Sequence, residues 1–389
     1  MRERAIVSLR PTRPVSMISG VPPRFPLLPP LPSRNPAFIE EPGAVRLDEA
    51  LGAWVVSRYD DVAAALRDTA LIIPGTQASN DASHVANAGA RAEAHVAVRH
   101  ASSVALSHDR IDVWSAQMRS SAERMLGALR ASTREAQPID LAAAFVRPWS
   151  HALAMSANGI SVDTTTESEL IALAREIFLA AACTTDADAP SAAIAATAAL
   201  ARRLSSADPV IGVQSFVALT HTLACALASA WDVLLRHDDV MDRLRTTPSM
   251  IPAATDELLR LASPSRAVFR RAAVETTVGE QHVPAGARVI LMLASANRDP
   301  LRFPQPDRFD VDRNAIGHLG FGRGTHHCAG AQLIRSAVTI ATTTLLNTVQ
   351  GMIPAGDVAM IGGFAIAGVD ALPVTLTFTN LEPHAGSKL

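Results

Sequence analysis

Residues 318 to 333 read HLGFGRGTHHCAGAQL, a single thiol set among glycines and followed by a stretch of helical character. Gly322, Gly324 and Gly330 allow positive φ values and let another group come close to the backbone around Cys328. The segment AGAQLIRSAVTIATTTLL that follows reads as a helix, and its N-terminal amides favour an anionic sulfur. Such a loop suits a thiolate ligand. A free thiol buried in a glycine-containing turn has the same composition, so the neighbouring segments must decide between them.

A chain of 389 residues with 48% hydrophobic content can bury a large core. Its 35 basic and 37 acidic residues nearly cancel and form no long run of one sign, which disfavours direct nucleic-acid binding or attachment to a charged membrane surface. Cys183, Cys225 and Cys328 are widely spaced and contain no CxxC pair. That pattern argues against zinc and fits a reducing, cytoplasmic compartment.

The N-terminus has too short an apolar run for a secretory signal. Its arginines and serines leave a transit peptide open, but Glu3 and the tract VPPRFPLLPPLP favour a proline-rich arm over residues 1–39 ahead of a single domain at 40–389. The stretch IGVQSFVALTHTLACALASAWDVLL (211–235) could span a bilayer by length. Gln214, Thr220, His221, Thr222 and Ser229 interrupt it, so it reads as a long buried helix of a protein outside the membrane.

AWVVSRYDDVAAALRD reads as strand, turn and helix; residues 71–90 read as a loop; residues 91–261 are helical, with interruptions near 161–167 and 184–190. TTVGEQHVPAGARVILML and ALPVTLTF alternate as strands do. The expected fold is mainly α with small β-sheets, and without a repeat period it is no solenoid.

With Phe321, Gly322, Gly324, His326, Cys328 and Gly330 at these spacings, the cysteine loop resembles the haem-binding loop of the cytochrome P450 superfamily. The resemblance implies a triangular prism with haem b (iron protoporphyrin IX) between a long distal helix and the cysteine loop, Cys328 being the proximal iron ligand. Glu257 and Arg260 in ELLR match the family's ExxR pair; alone they would read as a solvated helix pair. His95 and Arg99 in HVAVR, together with Arg270 and His326, match residues that meet the haem propionates, where cationic donors neutralise buried carboxylates. Arg271 is the neighbour that could be confused with Arg270.

The resemblance also implies electrons from a ferredoxin or flavodoxin and its reductase. Arg323 and Arg335 either help form the docking surface or are simply solvated arginines.

The departure from the family lies in Ala218-Leu219-Thr220-His221-Thr222. Leu219 stands where the family has glycine, which predicts a more regular helix or a narrower distal space. His221 replaces an acid that acts with Thr222 in proton delivery. A histidine can deliver protons near neutral pH; alternatively it points away and water takes over.

Substrate-contacting regions of the family correspond here to Ala218, Leu219, Ala267, Val268, Phe269, Val369 and Asp370, and Asp370 could equally be a solvated turn residue. The expected activity is monooxygenation of a medium-sized, mainly apolar small molecule, a specialised metabolite or xenobiotic. A peroxide-using, coupling or dehydrating enzyme and a non-catalytic haem sensor or scaffold are the alternatives.

Overall fold

The computed structural model describes residues 43–49, 51–73, 108–133, 137–183, 191–204, 206 and 209–379. The proline-rich arm, His95, Arg99 and most of the 71–90 loop lie outside the described residues.

The longest apolar stretch becomes the helix Pro209–Leu234, which runs through the core. On its inner face Phe216, Leu227 and Trp231 are fully buried. Phe145 stacks between Trp231 and Trp149, with centroids at 5.6 and 6.0 Å. Each indole finds a partner inside the core. Trp231 Nε1 donates to Thr342 Oγ1 (3.0 Å), tying in the helix Ala331–Thr348, and Trp149 Nε1 donates to Ser121 Oγ (3.0 Å) on the helix His108–Ser132. The helix Ile251–Ala262 packs alongside and buries Ile251, Leu258 and Leu259. Membrane-like composition is thus used to fill a core.

Four small sheets flank the helices among the described residues. The largest orders its strands Arg46–Asp48, Ala53–Val56, Arg288–Leu291, Val268–Ala272 and Leu71–Ile72. Trp54 pairs with Val289 in parallel, and Phe269 with Ile290 in antiparallel register. Thr276–Val278 and Gln281–Val283 form the expected hairpin, and Pro373–Phe378 is the middle strand between Pro138–Asp140 and Val349–Pro354.

The interruption near 161–167 is shorter than the sequence implies. Asp163 caps the next helix, Thr164–Cys183, by accepting the Thr166 amide at 2.9 Å.

The long helix is not regular. Over Ala218–Thr222 it widens into a π-turn, and the Leu223 amide bonds back to the Ala218 carbonyl. Leucine at 219 therefore does not enforce the regular helix expected of it.

Candidate active site

The cysteine loop is held by its own backbone. Leu319–Phe321 and Gly324–His326 form short 3-10 turns, and the Cys328 amide donates to the Phe321 carbonyl at 2.8 Å. Gly322 and Gly324 have φ of +67° and +73°. At Gly324 a Cβ would fall 2.6 Å from the Leu66 carbonyl, so a side chain there would force the loop off the helix Tyr59–Ala65 and the residues after it. Cys328 sits just ahead of the helix Ala331–Thr348 and is solvent-accessible, whereas Cys225 is buried with its thiol pushed up to about 12 by burial. Of these two, only Cys328 occupies a position that favours a thiolate.

Cys328 faces two adjoining cavities, of about 250 and 370 Å³. Ala218, Cys328 and Ile334 line both, so the two form one slot between the long helix and the loop. Thr222, Leu223, Ala226, Val268, Arg270 and His326 face the smaller cavity. Trp114, Asn158, Ser215, Leu219 and Leu333 face the larger one. Trp114, Leu293 and His318 were not singled out from the sequence, because nothing local marks them as lining residues.

Arg270 shows what the slot is suited to hold. Its residue is 5% exposed, its one hydrogen bond among the described residues goes to the Phe269 carbonyl (2.8 Å), and burial pulls its pKa down with no carboxylate opposing that pull. A buried guanidinium without an anion costs free energy. An anionic group bound in the slot beside Arg270 and His326 would remove that cost. Arg271, the next residue on the strand, points to the other face. The residues present are of the kinds that would suit haem: Cys328, Arg270 and His326 line one cavity and would supply a thiolate and cationic partners for carboxylates.

Beneath the loop, Glu257 and Arg260 are fully buried and paired. Arg313, at the end of the segment ANRDPLRFPQPDRFDVDR, adds a third member, its Nε 2.9 Å from Glu257 Oε1. Arg260 Nη1 donates to the Asn297 carbonyl at 2.6 Å, and the Asn297 side chain accepts the Leu319 amide at 2.6 Å. The triad thus reaches the start of the cysteine loop through one asparagine. Arg335 is committed to Asp256 (2.7 Å) and lies over the Phe321 ring at 4.6 Å, and Arg323 lies 5.8 Å over Tyr59.

Several expected residues lie elsewhere. His221 stacks on Phe178 (centroids 5.4 Å apart), has His151 at 6.4 Å, and borders a separate small cavity with Val369 and Asp370. Burial lowers the pKa of His221 to about 4, helped by His151 and Arg175, and that of His151 to about 4, helped by Arg147. Position 222 rather than 221 faces Cys328, since one step along a helix turns the side chain by about 100°. Asp370 is bound by Arg147, through both its carbonyl and its Oδ1 (3.3 Å for the latter). Ala267 is buried in a hydrophobic cluster, and Phe269 packs 6.1 Å from Phe364. Of the segment 267–269, Val268 alone reaches the slot.

Residues 232–361 match the family model described as Cytochrome P450. Cytochrome P450 105C1 of Streptomyces sp is 38% identical over 187 residues, covering 44% of this chain and 48% of the relative. The 6-deoxyerythronolide B hydroxylase of Saccharopolyspora erythraea is 37% identical over 147 residues, covering 37% of this chain and 36% of the relative. The chain spans less than half the length of these curated relatives. Among solved structures, P450BioI in complex with an acyl carrier protein aligns with a TM-score of 0.73 at 22% identity, covering 86% of this chain and 95% of that one. CYP105P1 in complex with filipin I aligns with a TM-score of 0.70 at 22% identity, covering 84% and 90%. These likenesses extend across the fold, whereas the sequence matches are confined to part of the chain.

Proposed function

For this chain, which belongs to the cytochrome P450 family, we propose the activity of a haem-thiolate monooxygenase acting on a medium-sized, mainly apolar small molecule. The observation that carries this reading is the shared cavity of Cys328 and Thr222, with the unpaired Arg270 guanidinium at its border. Bound haem supplies the activation of dioxygen and the transfer of one oxygen atom to substrate.

The chain's own residues do the rest. Cys328 provides the thiolate, and Arg270 and His326 provide cationic and hydrogen-bonding partners for the propionates. His95 and Arg99 are proposed to join them. Thr222 Oγ1 is the proton-handling group on the distal side: among the described residues no hydrogen bond ties it back to its helix, whereas Thr220 Oγ1 donates to the Phe216 carbonyl at 2.7 Å. Its hydroxyl is free to accept a proton from water and pass one on. His221 is left out of this path, because its ring lies against Phe178.

Leu66, Leu223, Ala226, Val268, Leu293 and Ile334 give the smaller cavity a mainly aliphatic wall, joined by the Phe321 ring from the cysteine loop, which favours an apolar substrate skeleton. Relatives named for hydroxylation of 6-deoxyerythronolide B and for 20-oxo-5-O-mycaminosyltylactone 23-monooxygenation support a specialised metabolite. Electrons are proposed to come from a ferredoxin or flavodoxin with its reductase, in the cytoplasm. The alternative of a peroxide-using, coupling or dehydrating enzyme drew on the atypical ALTHT segment; the π-turn speaks against the regular helix expected from Leu219, while the turned-away His221 leaves the position of the family's acid without an acid.

The test is a purified holoprotein given a redoxin, its reductase and NADH, together with candidate ligands chosen by the shift they cause in the haem spectrum. Oxygen-dependent product supports the proposal. A thiolate spectrum without turnover on any ligand that shifts it would point to a haem sensor.

A further inference from the structure

The π-turn needs a cause. Sharp departures from α geometry arise at proline, at glycine-containing pairs, or where a side chain or a water enters the hydrogen-bond ladder. Phe216 to Leu223 includes neither glycine nor proline. A polar side chain stands at the ladder here.

Thr220 is 1% exposed, and its Oγ1 lies 2.7 Å from the Phe216 carbonyl and 3.4 Å from that of Val217. It supplies a donor at the start of the wide turn, where the amide ladder slips by one residue. Threonine bonded in this way to the preceding turn bends helices. The hydroxyl has one proton, and it goes to the carbonyl. The His221 Nδ1 at 2.9 Å from the same oxygen must then carry a proton and donate it. The stack of that ring on Phe178 holds the donor in place.

The wide turn also sets which residues share the cavity. Ala218, Thr222 and Ala226 all line it, at four-residue steps. In a regular helix each such step drifts by about 40°. A turn with extra residues cancels part of the drift and keeps the three in line.

We propose that Thr220, braced by His221, is the positioning residue that holds the distal helix open and thereby presents Thr222 Oγ1 to the cavity. This inference rests on the oxygenase reading above and assigns a role to two residues on the back of the helix that the chemistry itself does not touch.

The test compares holoprotein crystal structures and turnover of Thr220→Val, Thr220→Ala and Thr220→Ser. Both hydroxyl-free variants should move the Leu223 amide from the Ala218 carbonyl to that of Leu219. Their product formed per NADH should fall by about 10-fold or more, with hydrogen peroxide rising, as expected when a positioned proton donor is lost. Ligand affinity, read from the haem spectrum, should stay at the wild-type value, and Thr220→Ser should match wild type in every respect. An unchanged bond to Ala218 in both hydroxyl-free variants overturns the proposal, and so does wild-type coupling after the register has shifted. A wild type that makes no oxygen-dependent product rejects the monooxygenase reading instead, while the helix register still reports on Thr220.

Discussion

Glu257 and Arg260 meet as a two-pronged pair sealed from solvent, with Nε to Oε2 at 2.7 Å and Nη2 to Oε1 at 2.9 Å. Three residues apart on one helix, they would be a minor surface contact in most proteins. Here Arg313 and the Asp310 amide also converge on Glu257 Oε1, so no lone pair of that oxygen faces an empty interior.

Replacing one member strands the others. Glu257→Gln leaves the buried Arg260 guanidinium and the partly buried Arg313 without an anion, and a cost of about 3–5 kcal/mol is expected. Thermal or urea unfolding of the purified protein measures it. Because Arg260 also anchors Asn297, the haem content per folded chain should fall in parallel; a variant of unchanged stability would place the triad outside the load path of the loop.

Cys328→Ala should abolish the thiolate signature of the ferrous–CO spectrum. Cys225 is no substitute, since burial keeps its thiol protonated. An unaltered spectrum would mean that another residue ligates the iron.

Arg270→Ala should release haem faster than wild type, by a factor equivalent to about 1–3 kcal/mol for one lost partner of a charged group. Transfer of haem to an excess of apomyoglobin gives the rate directly. Arg271→Ala should leave that rate unchanged, because its side chain lies on the opposite face of the strand.

Acid stability should depend on the histidine pair. His151 and His221 have folded pKa values near 4, below the ordinary 6.5, so the unfolded chain binds more protons between those two values. Stability therefore rises with pH across that window and is lost as pH falls from about 6.5 toward 4, by on the order of 1–3 kcal/mol per histidine. His221→Phe, which retains a ring for Phe178, should show a shallower loss in urea unfolding at stepped pH. An identical slope would mean that His221 already titrates freely in the folded protein.

The parts of the site that could be read from the sequence are those in which chemistry is concentrated in a few consecutive residues. Phe321 to Gly330 carries its glycines, its histidine and its thiol within one loop, and the structure keeps them together. Glu257 and Arg260 are legible as a pair, but their burial is not, because it depends on Arg313 and Asn297 arriving from more distant segments. Facing directions on the long helix were the least legible. A wide turn produced by Thr220 shifts every side chain beyond it, and single-residue propensities for Leu219 and His221 contain no trace of that shift. Val369 and Asp370 failed for a related reason: their strand packs behind the helix rather than over the slot, and Arg147 draws Asp370 away.

The three-stranded sheet has a bearing on how the protein is made. Its edge strand Pro138–Asp140 pairs with Pro373–Phe378, and the Leu372 amide bonds to Asp140 Oδ1 across 232 residues of chain. At ribosomal rates of about 5–20 residues per second, the first strand waits roughly 12 to 46 s for its partner. For most of that interval the cysteine loop is still untranslated, although it leaves the ribosome ahead of Pro373–Phe378. A translation product stalled ahead of Cys328 would thus lack the thiol with which to retain a prosthetic group, which makes loading a late step in biogenesis.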